Sequence, residues 1–427
     1  MRAPNTSERA SLEEIAMLSM EFGRLLMESG ASGHYVDEIV AQVARGLGAE
    51  RVDLRIGYAS LAVTVGIGNE GITRMRKIGP LGVNQRLDHT LKALAARVEH
   101  SELTAVQARV ELDRLLANPI RYPGWLVDLA VGAACASFGR LLGVDWSAVG
   151  PVLVAAMVGQ CFRRQLASRH VNVFISATLV AVLGSALSGL GARLLGSATV
   201  QTAMTAAVLL LVPGVPSFNA QNDILDGRPT LGSARAVWVG ITLVFLTVGV
   251  WLGQMFLGEA AQSVLEATRP SAPQFDLARL LHQMLFGGIA AIGFGVLFNI
   301  GPRALAWCGV CGASALAVRT AGLELGWSLE AASFAAALAV GGTARLIQDR
   351  AGISRNTLGV AGCIPMIPGG FAAKAILGLF MLTAPAAQAP DQILIYSAQN
   401  ALRVIFTIGT IGTGLAIPSM LTRVGKH

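Results

Sequence analysis

Charge is what this sequence has least of. Only 14% of its 427 residues are Asp, Glu, Lys or Arg, against about 25% in a typical soluble protein. Hydrophobic residues make up 53%, and the mean hydropathy is +0.58. A wholly water-soluble globular chain is excluded, and the class is a polytopic membrane protein. The net charge of +7 and the pI near 9.5 do not gather into a basic patch. The cations fall between apolar segments, as the positive-inside rule requires, so no nucleic acid partner is expected. Cysteine is scarce as well. Cys135, Cys161, Cys308, Cys311 and Cys363 all lie in apolar segments. Cys308-x-x-Cys311 has a redox or metal spacing, but no second such pair and no histidine cluster accompanies it. Small thiols packing in a membrane helix is the reading, with no metal and no other cofactor expected. No Gly-x-x-x-x-Gly-Lys-[Ser/Thr] loop occurs, which argues against ATP drive within this chain. The first turns are polar and acidic, so no signal peptide is expected.

What is present begins with a polar stretch. Residues 1–120 read as a small α+β cytoplasmic domain. Ser11 and Glu14 form a capping-box pattern ahead of an apolar face at Ile15, Leu18, Phe22, Leu25 and Leu26, and Gly30 ends that helix. A second helix covers roughly 33–47. Alternation at Val52, Leu54 and Ile56, then around 61–65 and 72–78, reads as short strands, followed by helices near 84–100 and 104–116. Ser29, Ser32, His34, Asp37 and His89 invite a hydrolase reading. No nucleophile elbow, metal-ligand spacing or compact triad supports it, so capping and surface roles take precedence.

From Tyr122-Pro123-Gly124 onward, ten apolar segments follow, at about 125–143, 147–162, 171–191, 199–219, 235–257, 281–300, 304–321, 330–347, 356–382 and 397–418. A membrane-spanning helix needs about 20 residues. The loop cations Arg121, Arg163, Arg164, Arg169, Arg228, Arg235, Arg303, Arg345, Arg350, Arg355, Arg423 and Lys426 mark one face as cytoplasmic. Arg193, Arg269, Arg279 and Arg319 fall to the other. Both termini are then inside. Two of the segments are broken, at Val212-Pro213-Gly214-Val215-Pro216 and at Ile364-Pro365-Met366-Ile367-Pro368-Gly369-Gly370. Proline removes a donor and glycine loosens the helix, and hydrocarbon tolerates such breaks only where the freed groups face protein or a wet cavity. Phe138 matches Phe294, Arg193 matches Arg345 and Pro213 matches Pro368, at offsets of 156, 152 and 155 in order along the chain. Five helices per half is odd, so the second half enters from the opposite side. The expected fold is therefore all-α, ten transmembrane helices as two inverted five-helix repeats with a broken helix in each, behind the α+β domain. The expected domains are 1–120, a first repeat at 121–258, an extracytoplasmic linker at 259–280 and a second repeat at 281–427. Equivalent broken helices point to a midplane binding site.

The run Leu-Val-Pro213-Gly214-x-Pro-x-x-Asn219-x-x-x-Asp223-Ile-Leu-Asp-Gly227, together with Ile-Pro365-x-x-Pro368-Gly369, resembles the bacterial threonine/serine exporter family over nearly the whole chain. In that family the first portion and the last five helices are sometimes separate polypeptides. The resemblance implies a bacterial inner-membrane protein that exports small amino acids, in exchange with protons. Related two-chain members are associated with dicarboxylate export. The family's soluble domain has been likened to a hydrolase, and no catalytic set is found here to carry over.

The candidate substrate-binding residues are Pro213, Gly214, Asn219, Asn222, Asp223, Pro365, Pro368, Gly369, Gly370, Lys374 and Arg403. The half-helices after Gly214 and Gly370 would offer N–H groups and partial positive charge to a carboxylate. Lys374, one turn beyond Gly370, would add a full charge where an unpaired lysine is costly; the competing reading is a lysine that snorkels or pairs structurally. Asn219, Asn222 and Asp223 either bind an amine, with Asp223 carrying the coupled proton, or solvate the helix end at the cytoplasmic surface. Arg403 either meets a carboxylate or snorkels. Asn299 ends the sixth segment. Gln160 and Asn172 are expected in interhelical hydrogen bonds, and Asp128 at the interface. Three functions compete: export of threonine or serine, export of a dicarboxylate, and a membrane-anchored hydrolase. Ten helices with paired breaks exceed what an anchor needs. The expected partners are a small-molecule substrate, protons and membrane lipid; a homo-oligomer stays open.

Overall fold

A computed structural model describes residues 11–258, 276–351, 355–382 and 390–424. It separates into two compact units. The first comprises residues 1–121, 215–237 and 298–300; the second comprises 122–214, 238–297 and 301–427.

The first unit starts with α1 (Leu12–Glu28) and α2 (Gly33–Gly46). The strands β1 (Arg51–Ile56), β2 (Ser60–Ile67) and β3 (Glu70–Lys77) follow, then α3 (Gln85–Glu99) and α4 (Ala105–Ala117). The Ser11–Glu14 capping box starts α1 as the sequence indicates, and a second one, Thr104 with Gln107, starts α4. The sheet is antiparallel in the order β1-β2-β3, with Val63 opposite Leu54 and Val65 opposite Val52. Period-two alternation turns Leu61, Val63 and Val65 of β2 inward, where they join Phe22, Leu26, Val36, Val40 and Leu91 in one buried core. Gly23 lets α1 lie close to β2: a Cβ there would sit 2.5 Å from Leu61 Cδ2. The same core takes in Leu231, from the 215–237 stretch.

The second unit is helical. Its elements are α5 (Gly124–Leu141), α6 (Trp146–Ser168), α7 (Val173–Leu194), α8 (Val200–Ala206), the first residue of α9 (Gly214–Leu225) and most of α10 (Pro229–Phe256). The series continues with α11 (Leu277–Leu297), α12 (Pro302–Glu324), α13 (Leu329–Ala351), α14 (Arg355–Cys363), α15 (Gly369–Met381) and α16 (Pro390–Val424). Each of the ten apolar segments falls on one helix or on a broken pair. Among the described residues, α7, α10, α11, α12 and α16 are long and apolar enough to cross a membrane, and two bent pairs raise the number to seven. Helix α11 begins at Leu277, inside the stretch read as a linker, and residues 259–275 of that stretch lie outside the described residues.

Several polar residues prove to be local fasteners. Asn172 caps α7 by accepting from the Phe174 N–H (2.9 Å), in place of the interhelical bond expected of it. Asp145 caps α6 and also accepts from Ser197 and the Ala198 N–H, tying the start of α6 to the turn after α7. Asp128 is buried and paired with Arg164. Gln160 is buried with no hydrogen-bond partner for its Oε1.

Candidate functional site

The two Pro-Gly breaks have the same build. Each opens with a 3-10 turn, Leu209–Leu211 in one and Ile364–Met366 in the other. An extended residue follows, Val212 (φ −65°, ψ 121°) or Ile367 (φ −61°, ψ 128°). The proline then sits at the apex of a tight turn closed by the next glycine: Gly214 N–H donates to Val212 O and Gly369 N–H to Ile367 O, both at 2.8 Å. The glycine begins the second leg, and the legs are bent by 58° in the first pair and 49° in the second. The lead-in legs also dock alike. Helix α8 packs on α5, α6 and α7; helix α14 packs on α11, α12 and α13.

The breaks touch each other, and reciprocally. A Cβ at Gly214 would run into Ile367 Cδ1, and a Cβ at Gly369 would lie 3.0 Å from Val212 Cγ2. The glycine after one proline thus abuts the residue before the other. Helices α5 and α11 also pack together, and the matched residues Phe138 and Phe294 meet edge to face at 5.6 Å and 86°. Pro213, Gly214, Pro365, Pro368 and Gly369 are all buried at this crossing, while Gly370 is half-buried with open space around it.

Beyond the second break, Lys374 is exposed on α15. Arg403 of α16 is also exposed, and its guanidinium carbon lies 5.5 Å from the centre of the Phe371 ring, within cation–π range. Phe371 and Lys374 are three apart on one helix face, so Arg403 and Lys374 share that face. Arg319 of α12 reaches the break itself: its Nη1 donates to Met366 O at 3.1 Å. Among the described residues none of these three cations has an ion pair.

The polar residues after the first break belong to the first unit and are engaged there. Asp223 is fully buried. Its Oδ1 accepts from the Gly33 N–H and its Oδ2 from Arg235 Nη1, both at 2.7 Å. Arg235 Nη2 donates onward to Ala31 O at 3.0 Å, and Asn219 Nδ2 donates to Gly30 O at 2.8 Å. Arg228 pairs with Asp37 at 2.6 Å. The α1–α2 turn, with Gly30 in the left-handed region at φ 91°, is therefore clasped by α9 and the start of α10. Asn222 is half-buried on the same helix. Asn299, itself at φ 56°, donates to Asn84 Oδ1 and Ile120 O. Of the residues that invited a hydrolase reading, Ser29 donates its hydroxyl to Leu26 O and Asp37 holds Arg228.

Comparison with known proteins now decides the class. Residues 17–257 match a family model described as "Putative threonine/serine exporter", and residues 283–421 match one described as "Threonine/Serine exporter, ThrE". The chain belongs to the threonine/serine exporter family. Its family is one of transporters, and it is not an enzyme. An Escherichia coli (strain K12) protein named "Probable succinate transporter subunit YjjP" is 31% identical over 237 residues, covering 55% of this exporter and 92% of the relative. A Klebsiella aerogenes protein of the same name is 29% identical, covering 60% and 98%. An uncharacterized Haemophilus influenzae protein is 21% identical over 95% of both chains. No solved structure matches. Sequence reasoning on this exporter passed over Arg319, counted as a loop charge, and Arg235, counted the same way. The available signal was position: Arg319 lies five residues inside the end of α12, and Arg235 six residues after the start of α10.

Proposed function

We propose that this exporter carries a small dicarboxylate out of the cell across the bacterial inner membrane, as a secondary transporter driven by proton exchange. The observation that carries this reading is the charge around the second break. Arg319, Lys374 and Arg403 have no carboxylate partner among the described residues, while Asp223, the acid an amine-bearing substrate would need, is buried against Arg235 and Gly33. Unpaired cations in a membrane bundle are costly and persist where they serve a ligand. The relatives named as succinate transporter subunits agree with this preference. In this reading ten helices cross the membrane, counting α5, α6 and α13, as two inverted repeats whose broken helices cross at the substrate site, with both termini and the α+β domain in the cytoplasm. The like-built breaks and their reciprocal contact support the repeat, and Pro213, Gly214, Pro365, Pro368, Gly369, Gly370, Lys374 and Arg403 would form the site. Asn219 and Asp223 go to the clasp on the α1–α2 turn.

A second reading, export of threonine or serine, is favoured by the family description. Counterflow in liposomes holding the purified chain separates the two. Labelled succinate, threonine and serine are supplied in turn, with and without a proton gradient. Succinate flux that responds to the gradient is expected. Flux of threonine and serine alone would leave the amino-acid reading standing, and silence with all three would end both.

A further inference from the structure

We infer that Arg319 binds a carboxylate of the transported substrate and sets the preference of the second break for anions; this rests on that break being the transport site. Arg319 stands on α12 five residues before its end at Glu324. Helical side chains lean toward the helix N-terminus, so the guanidinium points back along the span rather than out of it. It arrives at Met366, the last residue of the 3-10 turn before the break, and gives one N–H to that carbonyl.

The first half supplies the contrast. Arg163 lies 156 positions before Arg319, the offset that relates Phe138 to Phe294, and the next residue on α6, Arg164, is paired. There the guanidinium is gripped from two sides by one carboxylate, Nε to Asp128 Oδ1 at 3.1 Å and Nη2 to Asp128 Oδ2 at 2.5 Å. The residue 156 positions after Asp128 is Met284, and neither it nor Gln283 beside it carries a charge. Arg319 accordingly makes no ion pair and no second hydrogen bond among the described residues, and Glu330 of α13 acts on it only through longer-range attraction. Guanidinium carries five N–H donors in a fork that matches a carboxylate. Where Asp128 fills that fork in the first half, the second leaves it for a carboxylate that comes and goes. The Met366 bond holds the arginine against the broken backbone, so bound substrate and helix break would be joined through one side chain. Succinate, threonine and serine all carry a carboxylate, so the role holds for either substrate class.

The test is counterflow with the full chain in liposomes, reading KM and maximal rate separately. Arg319→Gln keeps an N–H for Met366 O and removes the charge. Gln283→Asp leaves Arg319 in place but offers it the partner that Asp128 gives Arg164, with Gln283→Asn as its control. Arg319→Gln and Gln283→Asp should each raise KM by roughly ten- to hundredfold, the size expected for a lost charged hydrogen bond. Gln283→Asn should stay near wild type, and Arg319→Lys should recover part of the loss. Wild-type KM in both Arg319→Gln and Gln283→Asp would reduce Arg319 to a cap on Met366 and overturn the inference. A wild-type chain that moves none of the three substrates would instead defeat the transport reading itself. Should Arg319→Gln fail to insert, Gln283→Asp against Gln283→Asn decides the matter alone.

Discussion

In the first half of the bundle the guanidinium of Arg164 is held by both oxygens of Asp128. In the second half Arg319, Lys374 and Arg403 meet no carboxylate among the described residues. The backbone frames are nearly interchangeable: a 3-10 turn, an extended residue, a proline and a glycine recur at each break with matching hydrogen bonds. Like frames with unlike charge separate two jobs. The frame makes the crossing, and in the proposed reading the side chains would decide which half meets the ligand. The acid after the first break follows the same logic, since Asp223 is closed off by Arg235 and the α1–α2 turn.

The largest effect is expected where a buried pair is cut. Arg235→Met leaves the buried Asp223 carboxyl without its partner, and a loss of about 3–5 kcal/mol is expected. Thermal unfolding in detergent and hydrogen exchange at residues 30–33 would report it. Asp223→Leu combined with Arg235→Met should recover most of that loss. Arg164→Met leaves Asp128 without its partner too, but the arginine is 44% exposed, so the loss should be smaller than in Arg235→Met. Equal losses in Arg235→Met and Arg164→Met would erase the distinction between the clasp and the bundle pair.

The next effect tests the crossing. Gly214→Ala places a methyl against Ile367 Cδ1, whereas Gly369→Ala meets Val212 at 3.0 Å. Overpacking costs about 1–3 kcal/mol, so Gly214→Ala should lower transport more than Gly369→Ala. Ile367→Val removes the obstructing carbon and should restore Gly214→Ala. A Gly214→Ala chain that Ile367→Val leaves unimproved would show that the two breaks do not bear on each other.

The smallest effect concerns Asp88, a buried acid in the first unit. Burial pushes Asp88 up to about 7, with Lys92 pulling weakly the other way. Its Oδ1 and the nearby Tyr35 hydroxyl have no hydrogen-bond partner. The folded chain then holds a proton that the unfolded chain releases above the usual carboxylate range. Asp88's contribution to stability is therefore fully present below pH about 4 and is lost as pH rises through about 7. Asp88→Asn should flatten that slope in melts of the full chain taken from pH 4 to 8, and an unchanged slope would clear Asp88 of the effect.

Much of the architecture was legible because it is written locally. Apolar runs locate the helices of the bundle, the alternation at Val52, Leu54 and Ile56 marks β1, and Ser11 with Glu14 starts α1. The breaks were visible because proline and glycine act on their own neighbours. The site was less so. Nothing near Asp223 in sequence says that Gly33 will bond it from 190 positions away, and nothing near Arg319 says that it will reach Met366, 47 positions on. Both arginines looked like loop charges because each lies at or near a segment boundary, Arg235 at the start of 235–257 and Arg319 near the end of 304–321. The likeness of the Pro213 and Pro368 breaks was readable from their residues, but their contact depends on how helices cross, which spacing does not encode.

That contact binds the history of the two halves together. Gly214 has room only because Ile367 is shaped as it is, and Gly369 only because of Val212. A bulkier residue at one position calls for a smaller one 150 or so positions away, so the two breaks are sterically coupled. The two family models divide this chain between residues 257 and 283. In a transporter divided in that way, the same four residues would be a matched surface between two proteins, and substitutions there would have to be inherited in pairs.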